Sequence, residues 1–242
     1  MDNVLLSIKG AAEFLGLSVD TLRRWDKSGK LMAIRAGGKG THRFYRKFEL
    51  ELFLKDPFAL ARSWAFSKNP YTPEEEFYCP NSSIFQGRLT KLETLLQRTK
   101  DFERDFSLIT SIVGEIGNNS FDHNLGNWPD INGIFFAYDL NKRMVVLADR
   151  GLGILQTLKR VRKSLIDDKA ALEVAFTEVI TGRAPEDRGN GLKYVRKVVE
   201  KSSISLFFQT GDAQLEQKPH SYEIHLRKSE DNFHGCIAFI RF

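Results

Sequence analysis

The stretch that most constrains the fold is residues 105–124, DFSLITSIVGEIGNNSFDHN, whose spacing predicts one long helix with two different faces. At about 100° per residue, Glu115, Asn119 and Asp122 fall within one narrow sector. A second sector is apolar and suits burial in a core; it contains Phe102, Phe106, Ile109, Val113 and Ile116. The polar sector is typical either of a helix that borders a ligand cavity or of an ordinary solvated face, and the helix alone leaves both readings open.

The charge of the chain is unevenly distributed. Residues 1–55 hold eleven Lys/Arg against six Asp/Glu, whereas the remaining residues hold twenty-five of each. All of the formal net charge of +5 therefore comes from the N-terminal part. A compact basic part joined to a larger neutral part indicates a polyanion partner, nucleic acid or membrane, for the first and a different task for the second.

The pattern of residues 1–55 predicts a helix-turn-helix followed by a wing. Ser7 and Ser18 are placed as N-caps of two helices, residues 7–15 and 18–30. A strand-like LMAIR, a glycine-rich AGGKGT and HRFYR then predict a hairpin, and a short helix follows. The alternative is a small basic domain that binds protein.

This part resembles the winged helix-turn-helix of MerR-type regulators and excisionases, through AAEFLGLSVDTLRRWDKSGKL and THRFYRKFELELFL. The resemblance implies double-stranded DNA as the partner, with the helix of residues 18–30 in the major groove. Because one such module covers little DNA, a homodimer is expected. The side chains implied to contact DNA are Arg23, Arg24 and Lys27 of the helix and Arg43 and Tyr45 of the wing.

Residues 56–83 carry four prolines and an acidic run, and they predict a linker with one short helix near residues 59–66. Residues 84–100 predict an amphipathic helix. Such a helix packs either on the following domain or across a dimer, and we expect core packing.

From residue 101 onward, strands and helices alternate. The predicted strands are residues 133–140, 143–150, 203–209, 222–228 and 236–242, and the predicted helices after the first are residues 169–180 and 192–201. The strand of residues 143–150 is nearly all apolar, which predicts a central place in a sheet.

Three motifs occur in this part in a fixed order. They are Glu115 and Asn119 on a helix, Asp149-Arg150-Gly151-Leu152-Gly153 after a strand, and Gly189-Asn190-Gly191-Leu192 at a helix start. Each alone is common, but together they resemble the GHKL ATP-binding fold shared by gyrase, heat-shock chaperone, histidine-kinase and MutL ATPases. The resemblance covers residues 101–242. It implies an α/β sandwich over residues 84–242, with a mixed sheet and helices on one face, so the whole chain is expected to be α+β.

The resemblance also implies ATP and Mg²⁺ as cofactors. Asp149 would accept a hydrogen bond from the adenine amino group, and Gly151 and Gly153 would let the backbone pass close to the nucleotide. Asn119 would be the Mg²⁺ ligand, and Glu115 the catalytic base that acts on water. The other implied cofactor-binding residues are Gly189, Gly191 and Leu192 at the phosphates and Asp122 at a position that is often acidic in the family.

Two classes of function fit these features. The first is a DNA-binding regulator that binds ATP and hydrolyses it slowly, with nucleotide state setting DNA binding or assembly. The second is a serine protein kinase resembling the anti-sigma-factor kinases, which acts on a separate protein partner. A nucleotide-switched component of a mobile-element or phage-defence system is a further reading. Two distant cysteines, no zinc-like histidine spacing and no long apolar run predict a cytoplasmic protein without a structural metal or a membrane span.

Overall fold

The computed structural model describes residues 4–27, 31–35, 42–54, 56–178 and 191–242. The chain forms two compact units. The first consists of Met1–Leu60 and Asp139–Met144, and the second of Ala61–Tyr138 and Val145–Phe242. Among the described residues, no helix is both long and apolar enough to cross a membrane.

The first unit contains the expected pair of helices. Its elements are β1 (Leu5–Ser7), α1 (Ile8–Leu15), α2 (Val19–Lys27), β2 (Ile34–Arg35), β3 (Arg43–Arg46) and α3 (Lys47–Leu54). Ser7 Oγ accepts a hydrogen bond from Gly10 N at 3.3 Å, and Ser18 Oγ accepts one from Thr21 N at 3.1 Å, so both serines cap helices as predicted. Gly16, between the helices, has a φ of 65°, a conformation that favours glycine.

The wing is a three-stranded antiparallel sheet in the order β1-β3-β2. The sequence predicted β2 and β3 but missed β1, because a strand of 3 residues directly before a helix shows no alternation. The predicted wing tip, residues 36–41, lies outside the described residues. The core of this unit consists of residues exposed by no more than 4%: Ala11, Ala12, Leu22, Leu31, Tyr45 and Leu50.

Residues 56–83, expected as a linker with one short helix, contain helix α4 (Pro57–Ala65) and strand β4 (Tyr78–Cys79). Pro57 takes the first helical position, where a missing N–H leaves no hydrogen bond unmade. Trp64 and Phe77 are buried, with 1% and 3% of each residue exposed. Burial of these aromatic side chains builds residues 61–83 into the second unit despite their prolines.

The second unit is built on a seven-stranded sheet in the order β4-β5-β6-β10-β7-β8-β9. Its longer strands are β5 (Ile134–Asp139), β6 (Met144–Asp149), β7 (Ser205–Thr210), β8 (Ala213–Gln217), β9 (His225–Lys228) and β10 (Cys236–Arg241). β6 is buried along its whole length and lies inside the sheet, as its composition predicted. The tail has four strands instead of three, because β8, with only two apolar residues in AQLEQ, escaped the sequence pattern.

The helices that follow α4 are α5 (Ser82–Gln97), α6 (Phe106–Asn124), α7 (Gly153–Lys159), α8 (Asp168–Thr177) and α9 (Gly191–Lys201). Helix α5 packs on α6 in the same chain, α6 also contacts α9, and α8 contacts β8. The buried side of α6 includes Ile109, Val113 and Ile116 as predicted, and Ile112 in addition. The chain is therefore an α+β protein, which confirms the predicted fold class.

Candidate functional site

Asp149 is the last residue of β6, and only 2% of it is exposed. Its Oδ1 accepts a hydrogen bond from Gly151 N at 2.9 Å, and its Oδ2 accepts one from Ser120 Oγ at 2.7 Å. Burial raises the pKa of Asp149 above its ordinary value of 3.8, and the hydrogen bonds from Ser120, Gly151 and Cys236 N oppose that rise. The carboxyl group is thus held in one orientation by α6, by β10 and by its own turn.

The turn after β6 is locked to the last turn of α6 by Asn124, a residue that the sequence did not single out. Asn124 Nδ2 donates to Ser120 O at 2.7 Å, and its Oδ1 accepts from Leu152 N at 2.8 Å. A Cβ on Gly151 would lie 2.1 Å from Asn124 Nδ2. A side chain at 151 would therefore displace the Asn124 amide that holds this turn, which favours glycine here. The only sequence signal for Asn124 was its place four residues after Ser120 on the same helix.

Gly153 begins α7 with a φ of 75°. A Cβ there would lie 3.0 Å from Thr210 Oγ1. This hydroxyl accepts from Ile154 N at 3.1 Å and donates to Gly235 O at 2.9 Å. Thr210, at the end of β7, is a second position that sequence reasoning missed, and it fixes the start of α7 to the sheet.

The helix that carries Glu115 and Asn119 meets the glycine that begins α9. A Cβ on Gly191 would lie 2.5 Å from Glu115 Oε2 and 3.3 Å from Asn119 Nδ2. Tyr194 donates from its hydroxyl to Ser111 Oγ at 2.9 Å, which fastens α9 to α6. The first and third motifs therefore lie against each other in the structure.

These elements border a cavity of about 850 Å³, part of which is open to solvent. The polar lining includes Asn119, Ser120 and Asp149. The apolar lining includes Ile116, Leu147, Ile154, Leu158, Leu192, Phe208 and Ala238. An apolar space with a few fixed polar groups suits a flat heterocyclic ligand.

The remaining predicted ligand residues are placed differently. Asp122 is exposed and does not line the cavity; Glu115 does not line it either, but it lies against the start of α9. Gly189 lies outside the described residues. Arg150, inside the second motif, turns its side chain to Asp130, with 2.6 Å between Nη2 and Oδ2. No group of three or more His, Cys, Asp or Glu within the described parts of the chain could hold a metal ion.

The first unit presents a basic helix face. Arg23, Arg24 and Lys27 of α2 are exposed, while Leu22 on the opposite side is buried. Arg23 Nη1 lies 2.8 Å from Asp20 Oδ1, and both side chains are more than half exposed, at 58% and 86%. Water screens such a pair, so both arginines of α2 are available to a polyanion.

Two of the wing residues that were assigned to DNA, Arg43 and Tyr45, make contacts within the first unit. Asp26 Oδ2 accepts from Arg43 Nε and from Arg35 Nη2, each at 2.6 Å, so Arg43 ties β3 to α2. The assignment of Tyr45 to DNA is wrong, because only 1% of Tyr45 is exposed and its hydroxyl lies 3.5 Å from Leu22 O. Burial raises the pKa of Tyr45. Alternation along HRFYR places this side chain on the core face of the strand.

Comparisons with known proteins cover parts of the chain. Residues 5–56 match the family described as "Helix-turn-helix domain", which confirms the predicted helix-turn-helix. A stretch of 75 residues, 29% of this chain, is 39% identical to the type II methyltransferase M.Eco47II of Escherichia coli and spans 18% of that protein's length. The crystal structure of the 43K ATPase domain of Thermus thermophilus gyrase B in complex with an aminocoumarin is similar over 54% of this chain and 32% of that chain, with 15% identity and a TM-score of 0.32.

Proposed function

We propose that this chain is a DNA-binding regulator whose second unit binds ATP with Mg²⁺ and hydrolyses it slowly, with nucleotide state changing DNA binding or assembly. The observation that carries the proposal is the enclosed carboxyl group of Asp149 at the border of a largely apolar cavity. Asn119 and Gly191, from the two other motifs, line the same cavity.

The hydrogen bonds of Asp149 support an adenine amino group as its partner. An ionised carboxylate offers about four acceptor positions. Ser120 Oγ, Gly151 N and Cys236 N already donate to this carboxylate. About one acceptor position therefore remains for a ligand N–H, and the apolar lining suits the faces of a base.

The contact between α6 and α9 supports a phosphate group near Gly191. The backbone N–H groups in the first turn of a helix have no partners within the helix, and the helix dipole favours an anion there. Glu115 and Asn119 lie against this helix start. An acid, an amide and a helix N-terminus in one place suit a triphosphate chain and the cation that accompanies it.

Asn119 would be the protein ligand of Mg²⁺, because this ion is usually held by one or two protein oxygens together with phosphate oxygens and water. When bound, the ion would neutralise charge on the phosphates. Glu115 would orient the attacking water and take up its proton. Asn119 and Glu115 lie one turn apart on α6, so one rigid element would position both functions.

The exposed Arg23, Arg24 and Lys27 support DNA as the partner of the first unit. A helix-turn-helix reads DNA with its second helix, and α2 is that helix. A single module of this kind buries only ~600–1,000 Å² of protein surface, so two copies of the chain are expected to act together on one DNA site.

Calorimetric titration with a non-hydrolysable ATP analogue and Mg²⁺ tests the nucleotide part of the proposal. The analogue should bind, and the matching GTP analogue should not, because guanine presents a carbonyl oxygen where adenine presents its amino group. Absence of binding by every adenine nucleotide would overturn the proposal.

DNA duplexes selected by this protein from a random library test the regulatory part. Titrations at fixed salt with no nucleotide, with ADP and with the ATP analogue should differ by about 5–150-fold in affinity. If the three curves superimpose while the analogue is shown to be bound, nucleotide does not regulate DNA binding. That result would favour phosphate transfer to a separate protein.

A further inference from the structure

Arg150 lies inside the second motif, between Asp149 and Gly151, yet its side chain is used elsewhere. Only 3% of that side chain is exposed. Its Nε donates to both carboxylate oxygens of Asp130, at 3.2 and 3.0 Å, and its Nη2 donates to Oδ2 at 2.6 Å. Nη2 also lies 3.4 Å from His234 Nε2. The guanidinium is therefore fixed as a planar fork against a carboxylate.

The other end of the fork binds the last turn of α4. Arg150 Nη1 donates to Trp64 O at 2.7 Å and to Ala65 O at 2.9 Å. These are the last two residues of α4, whose carbonyl groups have no partners within the helix. A cation at a helix C-terminus also interacts favourably with the helix dipole. Together with the bonds to Asp130, these bonds engage all three nitrogen atoms of the guanidinium.

The loop before β10 contacts both the end of α4 and the backbone around Asp149. Phe233 stacks on Phe66, directly after α4, with ring centroids 4.2 Å apart. His234 Nδ1 lies 3.1 Å from Arg150 O. A Cβ on Gly235 would lie 2.1 Å from Asp149 O. The end of α4 and the backbone around Asp149 are thus parts of one packed structure.

We propose that Arg150 is a positioning residue that transmits occupancy of the cavity to helix α4. The proposal rests on the nucleotide binding proposed above. The chain passes from the first unit to the second within α4, between Leu60 and Ala61. A ligand that bonds to Asp149 restrains the turn that follows it, and Arg150 belongs to that turn. Its rigid bonds to two carbonyl groups extend the restraint to the C-terminal end of α4.

A purely structural role for Arg150 would stabilise the fold equally with and without nucleotide. The two roles are separated by amide hydrogen exchange at the end of α4, measured on the full chain with and without a non-hydrolysable ATP analogue and Mg²⁺. The analogue is used at concentrations that calorimetry shows to be saturating for each protein. In the wild type, exchange at residues 62–67 should slow by about fivefold or more.

The main variant is Arg150→Lys, which keeps the charge but cannot bond Asp130 and both carbonyl groups at once. It should lose the slowing at the end of α4. The matched control is Ser63→Ala on the same helix, because the Ser63 side chain is exposed. That variant should respond like the wild type.

The second variant is Asp130→Asn, which removes the charge that Arg150 bonds to but keeps one oxygen acceptor. It replaces Arg150→Lys in the experiment if that variant does not fold. It should show a smaller response than the wild type. A bound analogue without slowing in the wild type, or a full response in either folded variant, overturns the role of Arg150 and leaves the proposed function intact. No binding of the analogue to the wild type overturns both.

Discussion

Replacing Asp149 by asparagine exchanges one carboxylate oxygen at the border of the cavity for an amide nitrogen. Asparagine can keep its oxygen towards Gly151 N and turn its amide nitrogen towards Ser120 Oγ. Ser120 can then accept instead of donate, because Ile116 O, at 3.4 Å, is available to its hydroxyl proton. The fold should therefore survive. A ligand amino group, however, meets an N–H donor where it needs an acceptor.

The size of the effect follows from two contributions. A hydrogen bond to a charged group is worth about 1.5–3 kcal/mol, and a buried donor left without a partner costs about 1–3 kcal/mol. Together they weaken binding by about 2.5–6 kcal/mol, which corresponds to a loss of about 10²- to 10⁴-fold in affinity. Calorimetry with the ATP analogue and Mg²⁺ measures this loss directly.

Asp139 provides the matched control. It ends β5 as Asp149 ends β6, it is 5% exposed, and its Oδ1 accepts from Asn141 N and Lys142 N, each at 3.0 Å. It does not line the cavity. Asp139→Asn should therefore bind the analogue like the wild type. If folded Asp149→Asn also binds with near wild-type affinity, the adenine assignment is refuted.

Lowering the pH tests the same carboxylate without a mutation. Because the pKa of Asp149 in the folded protein lies above 3.8, the folded state takes up this proton at a higher pH than the unfolded state. Between those two pKa values the unliganded protein gains stability from Asp149 as the pH falls, and analogue affinity falls because the protonated group no longer offers a charged acceptor. In Asp149→Asn, neither this gain in stability nor this fall in analogue affinity should occur. An affinity that does not change as the wild type is acidified towards pH 4 would contradict this reasoning.

Three further substitutions test other parts of the molecule. Glu115→Gln should leave analogue binding unchanged and slow ATP hydrolysis by about 10²–10⁴-fold in a phosphate-release assay, and wild-type turnover would exclude Glu115 as the base. Replacing Arg23 and Arg24 together by alanine should flatten the log–log salt dependence of DNA binding by about 0.9 for each lost phosphate contact, and unchanged binding would remove α2 as the DNA-reading helix. Gly151→Ala would place a Cβ 2.1 Å from a buried amide of α6 and should lower the free energy of unfolding by about 1–3 kcal/mol. Gly87→Ala, in open space on α5, should be neutral or stabilising by up to about 1 kcal/mol in the same thermal unfolding experiment, and equal effects of both changes would contradict the packing argument.

Much of the local structure was determined by the sequence itself. Helix α6, the caps at Ser7 and Ser18 and the buried strand β6 follow from spacing and residue type within a few positions. The three motifs that contain Glu115, Asp149 and Gly191 could also be recognised from residue type and spacing. What the sequence misjudged locally, such as β1 and β8, involved strands too short or too polar to carry a pattern.

The partners of individual side chains were decided only by the tertiary structure. Arg150 binds a carbonyl group 86 positions away, and Ser120 reaches a carboxylate 29 positions away. Tyr45 looks like a wing residue in sequence but fills a core. Asp122 shares a helix sector with Asn119, which lines the cavity, but Asp122 does not line it. Periodicity fixes which side of its own element a residue occupies. It does not fix which distant element covers that side, because this depends on how all the elements pack together.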